Sequence, residues 1–187
     1  VVIVPFAMLF GVLCAEAGIG PWETQIFSIA VFAGASQLAA LQLMQDQAPV
    51  LVILATGLAV NLRMMMYSVA LTPHLGAAPL GIRALIAYFL VDQSFALSLA
   101  EFQKNRSLTV AEKVAYFFGT VAPITAIWNV STAVGAHLGR AVPDTWGLDF
   151  AMPITFIGMT AAMLTTLPHA VAMVVSVGVT LMLWAMP

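Results

Sequence analysis

The sequence predicts an all-α, polytopic transmembrane helix bundle, and three observations carry that expectation. Hydrophobic residues make up 62% of the 187 and charged residues only 7%, against about 25% charged in soluble domains. A water-soluble domain of this length could not hide so much apolar surface. The apolar residues also gather into segments which, at about 1.5 Å per residue, match a hydrocarbon core about 30 Å thick. The segments lack the strict alternation of barrel strands, which are about half as long.

Seven apolar segments follow in order, at about 1–15, 26–44, 50–72, 83–101, 114–138, 149–167 and 170–187. The first has neither the basic n-region nor the cleavage pattern of a signal peptide and is expected to be a helix. Gly18-Ile19-Gly20-Pro21 stops it, and Asp46-Gln47-Ala48-Pro49 stops the second. The third ends at Thr72-Pro73-His74, and the fourth runs into the long polar stretch Glu101–Lys113. The fifth carries Pro123, and Val142-Pro143-Asp144 precedes the last two. Both ends of the chain fall inside apolar runs, so it reads as a membrane core without its termini. No polar linker divides it, so 1–187 is expected to be one transmembrane domain.

Aligning Gly11 with Gly135 brings Ala17 onto Ala141, Trp22 onto Trp146, Phe32 onto Phe156, Gly34 onto Gly158 and Ser36 onto Thr160. This suggests repeat units of about 1–110 and 111–187, parallel if every segment crosses and inverted if the Val50–Thr72 segment is broken or re-entrant. Lys104, Arg106 and Lys113 mark the 102–113 loop as cytoplasmic and the Glu16–Gln25 loop as external, with Arg83 and Arg140 on the outer face.

Composition excludes several functions. There is no nucleotide-binding loop, no zinc spacing and no basic patch for nucleic acid. His74, His137 and His169 sit at segment ends without metal-ligand spacing, so neither a metal nor a cofactor is expected. Cys14 is alone and packs as a small hydrophobe.

Arg63 is the residue that most needs a purpose. It is the only charge between Val50 and Thr72, and a guanidinium there cannot be deprotonated and costs roughly 2.5 kcal/mol or more to leave unpaired. It reads as a clamp for a carboxylate, or as half of a structural ion pair. Asp92, in Val91-Asp92-Gln93-Ser94-Phe95, is its natural partner and a candidate to carry a proton or meet an ammonium. Phe32-Ala33-Gly34-Ala35-Ser36-Gln37 reads as a tight helix contact, or as a local unwinding that offers backbone groups to a ligand. Asn61, Ser36, Gln37 and Asn129 complete the candidate substrate-binding set. For Asn129, just beyond Pro123, holding helices together is the competing role.

These motifs, in this order, resemble the AzlC-type permeases, large subunits of bacterial branched-chain amino acid exporters. The likeness rests on Phe10-Gly11-Val12-Leu13 with Pro21-Trp22, on Phe32–Gln37, on Asn61-Leu62-Arg63 with Leu71-Thr72-Pro73-His74, and on Val91–Ala96. Gln93 stands where an acid is common, which leaves Asp92 as the stronger proton carrier. The resemblance implies a multi-pass inner-membrane protein working with a small AzlD-like membrane subunit. It also implies export of valine, leucine or isoleucine driven by the proton gradient.

Chemistry at Arg63 suits an amino-acid carboxylate, so a secondary exporter of hydrophobic amino acids is the leading expectation. A channel or passive pore for small polar solutes or ions is the alternative, with Arg63 as an electrostatic barrier. An enzyme is not expected, because Ser36 lacks a His or Lys base nearby in the sequence.

Overall fold

The computed structural model describes residues 3–139 and 167–184. Among them are eight helices and no strand: α1 Ile3–Glu16, α2 Pro21–Ala30, α3 Gly34–Gln45, α4 Val50–Leu75, α5 Leu80–Tyr88, α6 Asp92–Lys104, α7 Val110–Leu138 and α8 Leu167–Trp184. The chain divides into two compact units, Val1–Val142 and Pro143–Pro187. In the second only α8 is described, an apolar helix exposed along most of its length. The expected segment at 149–167 lies outside the described residues except for Leu167, as do positions 141, 146, 156, 158 and 160 of the repeat.

Local chemistry sets the boundaries in the first unit. Gly18, at φ 76, lets the Ile19 N–H return to the Cys14 carbonyl and close α1. Gln47, at φ 54, does the same for α3 by turning the Ala48 N–H to the Leu43 carbonyl. Thr109 opens α7 with a reciprocal cap. The Glu112 N–H donates to its Oγ1 at 3.3 Å, and the Thr109 N–H donates to Glu112 Oε2 at 2.8 Å.

α4 and α7 have 26 and 29 residues and are the two described helices long and apolar enough to cross a membrane. α4 runs on through Pro73, so Thr72-Pro73-His74 is its last turn rather than a stop. α7 likewise continues through Pro123.

The second and fourth expected segments depart from the sequence reading. Each is split, the second at Val31–Ala33 and the fourth at Phe89–Val91. Contacts then show which way each half runs. Asp92 and Phe95 of α6 meet Tyr67 of α4, and Phe102 meets His74, so α6 runs parallel to α4. α5 turns back along α4 after the short 76–79 connection, since Ile86 and Leu90 join Leu71 and Leu75 in one buried cluster. α5 and α6 are therefore the two arms of a hairpin that enters the bundle and returns to the same end.

α2 and α3 repeat this from the other end. α3 lies antiparallel to α4, joined by the 46–49 turn and held farther in by Asn61 on Ser36. α1 runs parallel to α7: a Cβ on Gly135 would strike the Met8 backbone, and one on Gly139 the Val12 backbone four residues on. α2 returns along α1, with Phe10 and Phe27 in edge contact at 5.5 Å. α6 and α7 are antiparallel across their 105–109 turn, with Phe102 against Tyr116. Following these directions round, α2 points with α4 and α3 against it.

The first unit is thus α1 plus two copies of one motif in opposite directions, α2–α3–α4 and α5–α6–α7. Each copy is a half-helix hairpin followed by a long helix. The break is in the helices flanking α4, not in α4 itself. The hairpin tips touch, with Phe32 stacked on Tyr88 at 6.3 Å and edge-on to Phe89 at 5.8 Å, and Tyr88 Oη donating to the Ile29 carbonyl. The most extensive packing is α1 on α7. It depends on Gly11 and Ala15 facing Gly135 and Gly139, a small-residue seam of the kind that draws membrane helices together.

Returning hairpins also redistribute the charges. The 76–79 and 105–109 connections fall at one end, with Arg83, Lys104, Arg106 and Lys113; 17–20 and 46–49 fall at the other, with Glu16, Glu23 and Asp46. Arg83 therefore joins the basic loop it was expected to oppose. This arrangement has a direct check. In a Cys14→Ala background, Ala77→Cys and Arg106→Cys are expected to react with an impermeant maleimide from the same membrane face, and Asp46→Cys from the opposite face. Labelling of Asp46→Cys and Arg106→Cys from one face and Ala77→Cys from the other is what simple crossing requires, and it would rule the hairpins out.

Candidate functional site

Where the hairpin tips meet, two half-helices begin: α3 at Gly34 and α6 at Asp92. A helix start leaves its first backbone N–H groups without intrahelical acceptors and carries a partial positive charge. The two starts are built alike. The serine at the third position of each, Ser36 and Ser94, donates its hydroxyl to the carbonyl just before the helix, Ala33 and Val91, both at 3.0 Å. They differ in charge. α6 opens with Asp92, whereas the first turn of α3 has no acidic residue and no side-chain cap.

α4 passes both starts. From α4, Asn61 Nδ2 donates to Ser36 Oγ at 3.1 Å. Two residues on, Arg63 Nη1 lies 3.2 Å from Asp92 Oδ2. One turn farther, Tyr67 Oη donates to Asp92 Oδ1 at 2.9 Å while its ring stacks on Phe95 at 4.2 Å and 10°. The expected Arg63–Asp92 pair is therefore present, and each carboxylate oxygen has its own donor. The two side chains are 34% and 38% exposed, so the pair is open on one side rather than sealed in the core.

Sequence reasoning missed Tyr67. The signal was there, since residues four apart share a helix face and Tyr67 stands four beyond Arg63.

Three polar atoms near the two starts are buried without a hydrogen-bond partner among the described residues: Arg63 Nε, Asn61 Oδ1 and Gln37 Oε1. Buried polar atoms are almost always satisfied, so each of these needs an explanation. Arg63 has spent Nη1 on Asp92 but keeps the Nε edge of its fork. Gln37 is fully buried, and its Nε2 donates to the Ser28 carbonyl at 3.3 Å and to the Val31 carbonyl. It thereby caps the end of α2 and fixes the break. Both readings of Phe32–Gln37 are met: the helix unwinds at 31–33, and the small residue Gly34 lets Phe6 and Trp128 pack closely against the start of α3.

Asn129 does not join this group. Its Oδ1 accepts from Gln25 Nε2 at 2.6 Å, and its Nδ2 donates to the Thr125 carbonyl at 2.9 Å. Beside it, Trp128 Nε1 donates to Ser28 Oγ at 2.9 Å. The bonds to Gln25 and Ser28 tie α2 to α7. The Trp128 and Phe6 rings also fill the space that a side chain on Gly34 would occupy. In the second copy, the first helical position is Asp92, whose carboxylate is held by Tyr67 and Arg63.

Paired half-helices with an ion pair at their junction define a helical membrane protein with discontinuous helices. The family model described as AzlC protein matches residues 1–142 of the 187. The chain belongs to the AzlC family.

Its relatives are membrane proteins. An uncharacterized membrane protein of Helicobacter pylori strain J99 is 27% identical over 158 residues, covering 80% of this chain and 64% of that protein. Inner membrane protein YgaZ of Escherichia coli K12 is 24% identical over 165 residues, covering 85% and 66%. An uncharacterized membrane protein of Archaeoglobus fulgidus is 29% identical over 139 residues, covering 74% and 57%. The chain spans less than two thirds of the length of these curated relatives. No solved structure matches it.

Proposed function

We propose that the chain is a secondary transporter of the bacterial inner membrane. In this reading it exports valine, leucine, isoleucine or similar hydrophobic amino acids, is driven by the proton gradient, and works with a small AzlD-like membrane subunit. The observation that carries the reading is the unpartnered Nε of Arg63, buried beside an ion pair at the junction of two half-helices. Guanidinium offers a carboxylate two parallel hydrogen bonds from one edge. With Asp92 on Nη1, the Nε edge remains for the substrate carboxylate.

Asn61 Oδ1 is an acceptor of the right kind for the substrate ammonium, and Ser36 and Gln37 hold the uncapped start of α3 beside it. Half-helix N-termini at the bilayer midplane favour anionic substrate groups. The aromatic tips Phe32, Tyr88 and Phe89 offer apolar surface to an aliphatic side chain. Asp92 is the proton-coupling group: protonation removes its charge and loosens Arg63, and deprotonation restores the pair.

Transport by the full-length protein with its small partner in proteoliposomes tests this. Valine is expected to accumulate against its gradient under an imposed proton gradient and to stop accumulating with an uncoupler. Flux that only runs downhill and ignores the uncoupler would sink the secondary transporter and leave the passive pore.

A further inference from the structure

A cavity of about 170 Å³ lies between α4 and α5, lined by Ser68, Leu71, Leu75, Arg83, Ile86 and Leu90 among others. We propose that it is a binding site for an anionic phospholipid, with the phosphate on Arg83 and an acyl chain laid along the leucines and Ile86.

The site is polarised in the way such a molecule is. Arg83 stands at the loop end of the groove, near Gly76, while Ser68 and Leu90 lie at its inner end. From Gly76 to Ser68 along α4 is about 12 Å at the helical rise. Cation at the headgroup end and apolar walls toward the bilayer centre match an anionic amphiphile.

Arg83 is also available. Among the described residues its side chain makes no ion pair or hydrogen bond. The acids at this end are engaged locally, Glu112 with Thr109 and Glu101 with Asn105. Lys104, Arg106 and Lys113 stand at the same end, and basic pockets between membrane helices on the positive face recognise anionic lipid headgroups. A zwitterionic amino acid fits less well, because among the described residues no carboxylate lines the groove to meet its ammonium.

The test is native mass spectrometry of the detergent-purified full-length protein with phosphatidylglycerol or phosphatidylcholine of matched chains. Phosphatidylglycerol is expected to bind in preference. Arg83→Gln is expected to weaken it roughly fivefold, the usual weight of one basic residue near an anionic surface, with phosphatidylcholine unaffected. Arg106→Gln, at the same end but off the groove, is expected to leave binding unchanged. Ala87 also lines the groove, and Ala87→Phe, which fills it without altering charge, is expected to expel the lipid; it decides the matter if Arg83→Gln does not fold. Wild-type phosphatidylglycerol binding by Arg83→Gln or Ala87→Phe overturns the proposal, as does an equal loss in Arg106→Gln. Displacement of the lipid by inorganic phosphate or by valine overturns it too, since the groove would then take a free anion or a substrate.

Discussion

Replacing Arg63 by lysine is expected to cut concentrative valine export by at least about tenfold, nearly as far as replacing it by alanine. One charge-assisted hydrogen bond is worth about 1.5–3 kcal/mol, which is roughly ten- to a hundredfold in rate or affinity. Lysine keeps a positive charge within reach of Asp92. It cannot hold Asp92 with one nitrogen and present a second, planar edge to a substrate. Export and membrane abundance are measured together, so that loss of the protein is not mistaken for loss of activity. Wild-type export by Arg63→Lys would mean that Arg63 only balances Asp92. In that case Arg63→Ala combined with Asp92→Ala should be at least as stable as either single variant, because it leaves no charge unpaired.

Gly135→Leu is expected to separate α1 from α7 and to lower the melting temperature of the purified protein more than any exposed substitution in α7. A Cβ at Gly135 meets the carbonyl oxygen, carbonyl carbon and Cα of Met8, and one at Gly11 meets the Thr132 carbonyl. These neighbours are backbone, so no rotamer change relieves the clash and the helices must move apart. Overpacking of this kind costs about 1–3 kcal/mol. Gly119→Ala is the control, since nothing lies within 4 Å of a Cβ there, and alanine is a better helix former than glycine. If Gly135→Leu melts with Gly119→Ala, the α1–α7 seam is not what holds the bundle.

Much of the site was legible in the sequence. A charge in an apolar run demands a partner, and Arg63 and Asp92 were the only two charges placed deep in such segments. The structure joins them at 3.2 Å. Asn61 beside Ser36 was legible as a motif but not as a bond. Asn129 shows the limit, because an amide after a proline reads the same whether it meets a ligand or a neighbouring helix, and here it meets Gln25.

What the sequence determined by itself is the solvent and the material: apolar segments that require a membrane, turns that separate them, and charges deep in those segments that must meet. What only the tertiary structure decided is direction. Segments 26–44 and 83–101 have the length and hydropathy of crossing helices, and hydropathy has no sign along the chain. An apolar run that breaks and returns is as favourable in lipid as one that crosses, provided its freed backbone groups find partners. Gln37 and Ser36 supply those at the first break, and Ser94 at the second. Parallel packing of α6 on α4, and of α1 on α7, then fixes the returns. That is why Asp92 stands at the start of a half-helix beside Arg63 rather than midway along a crossing one.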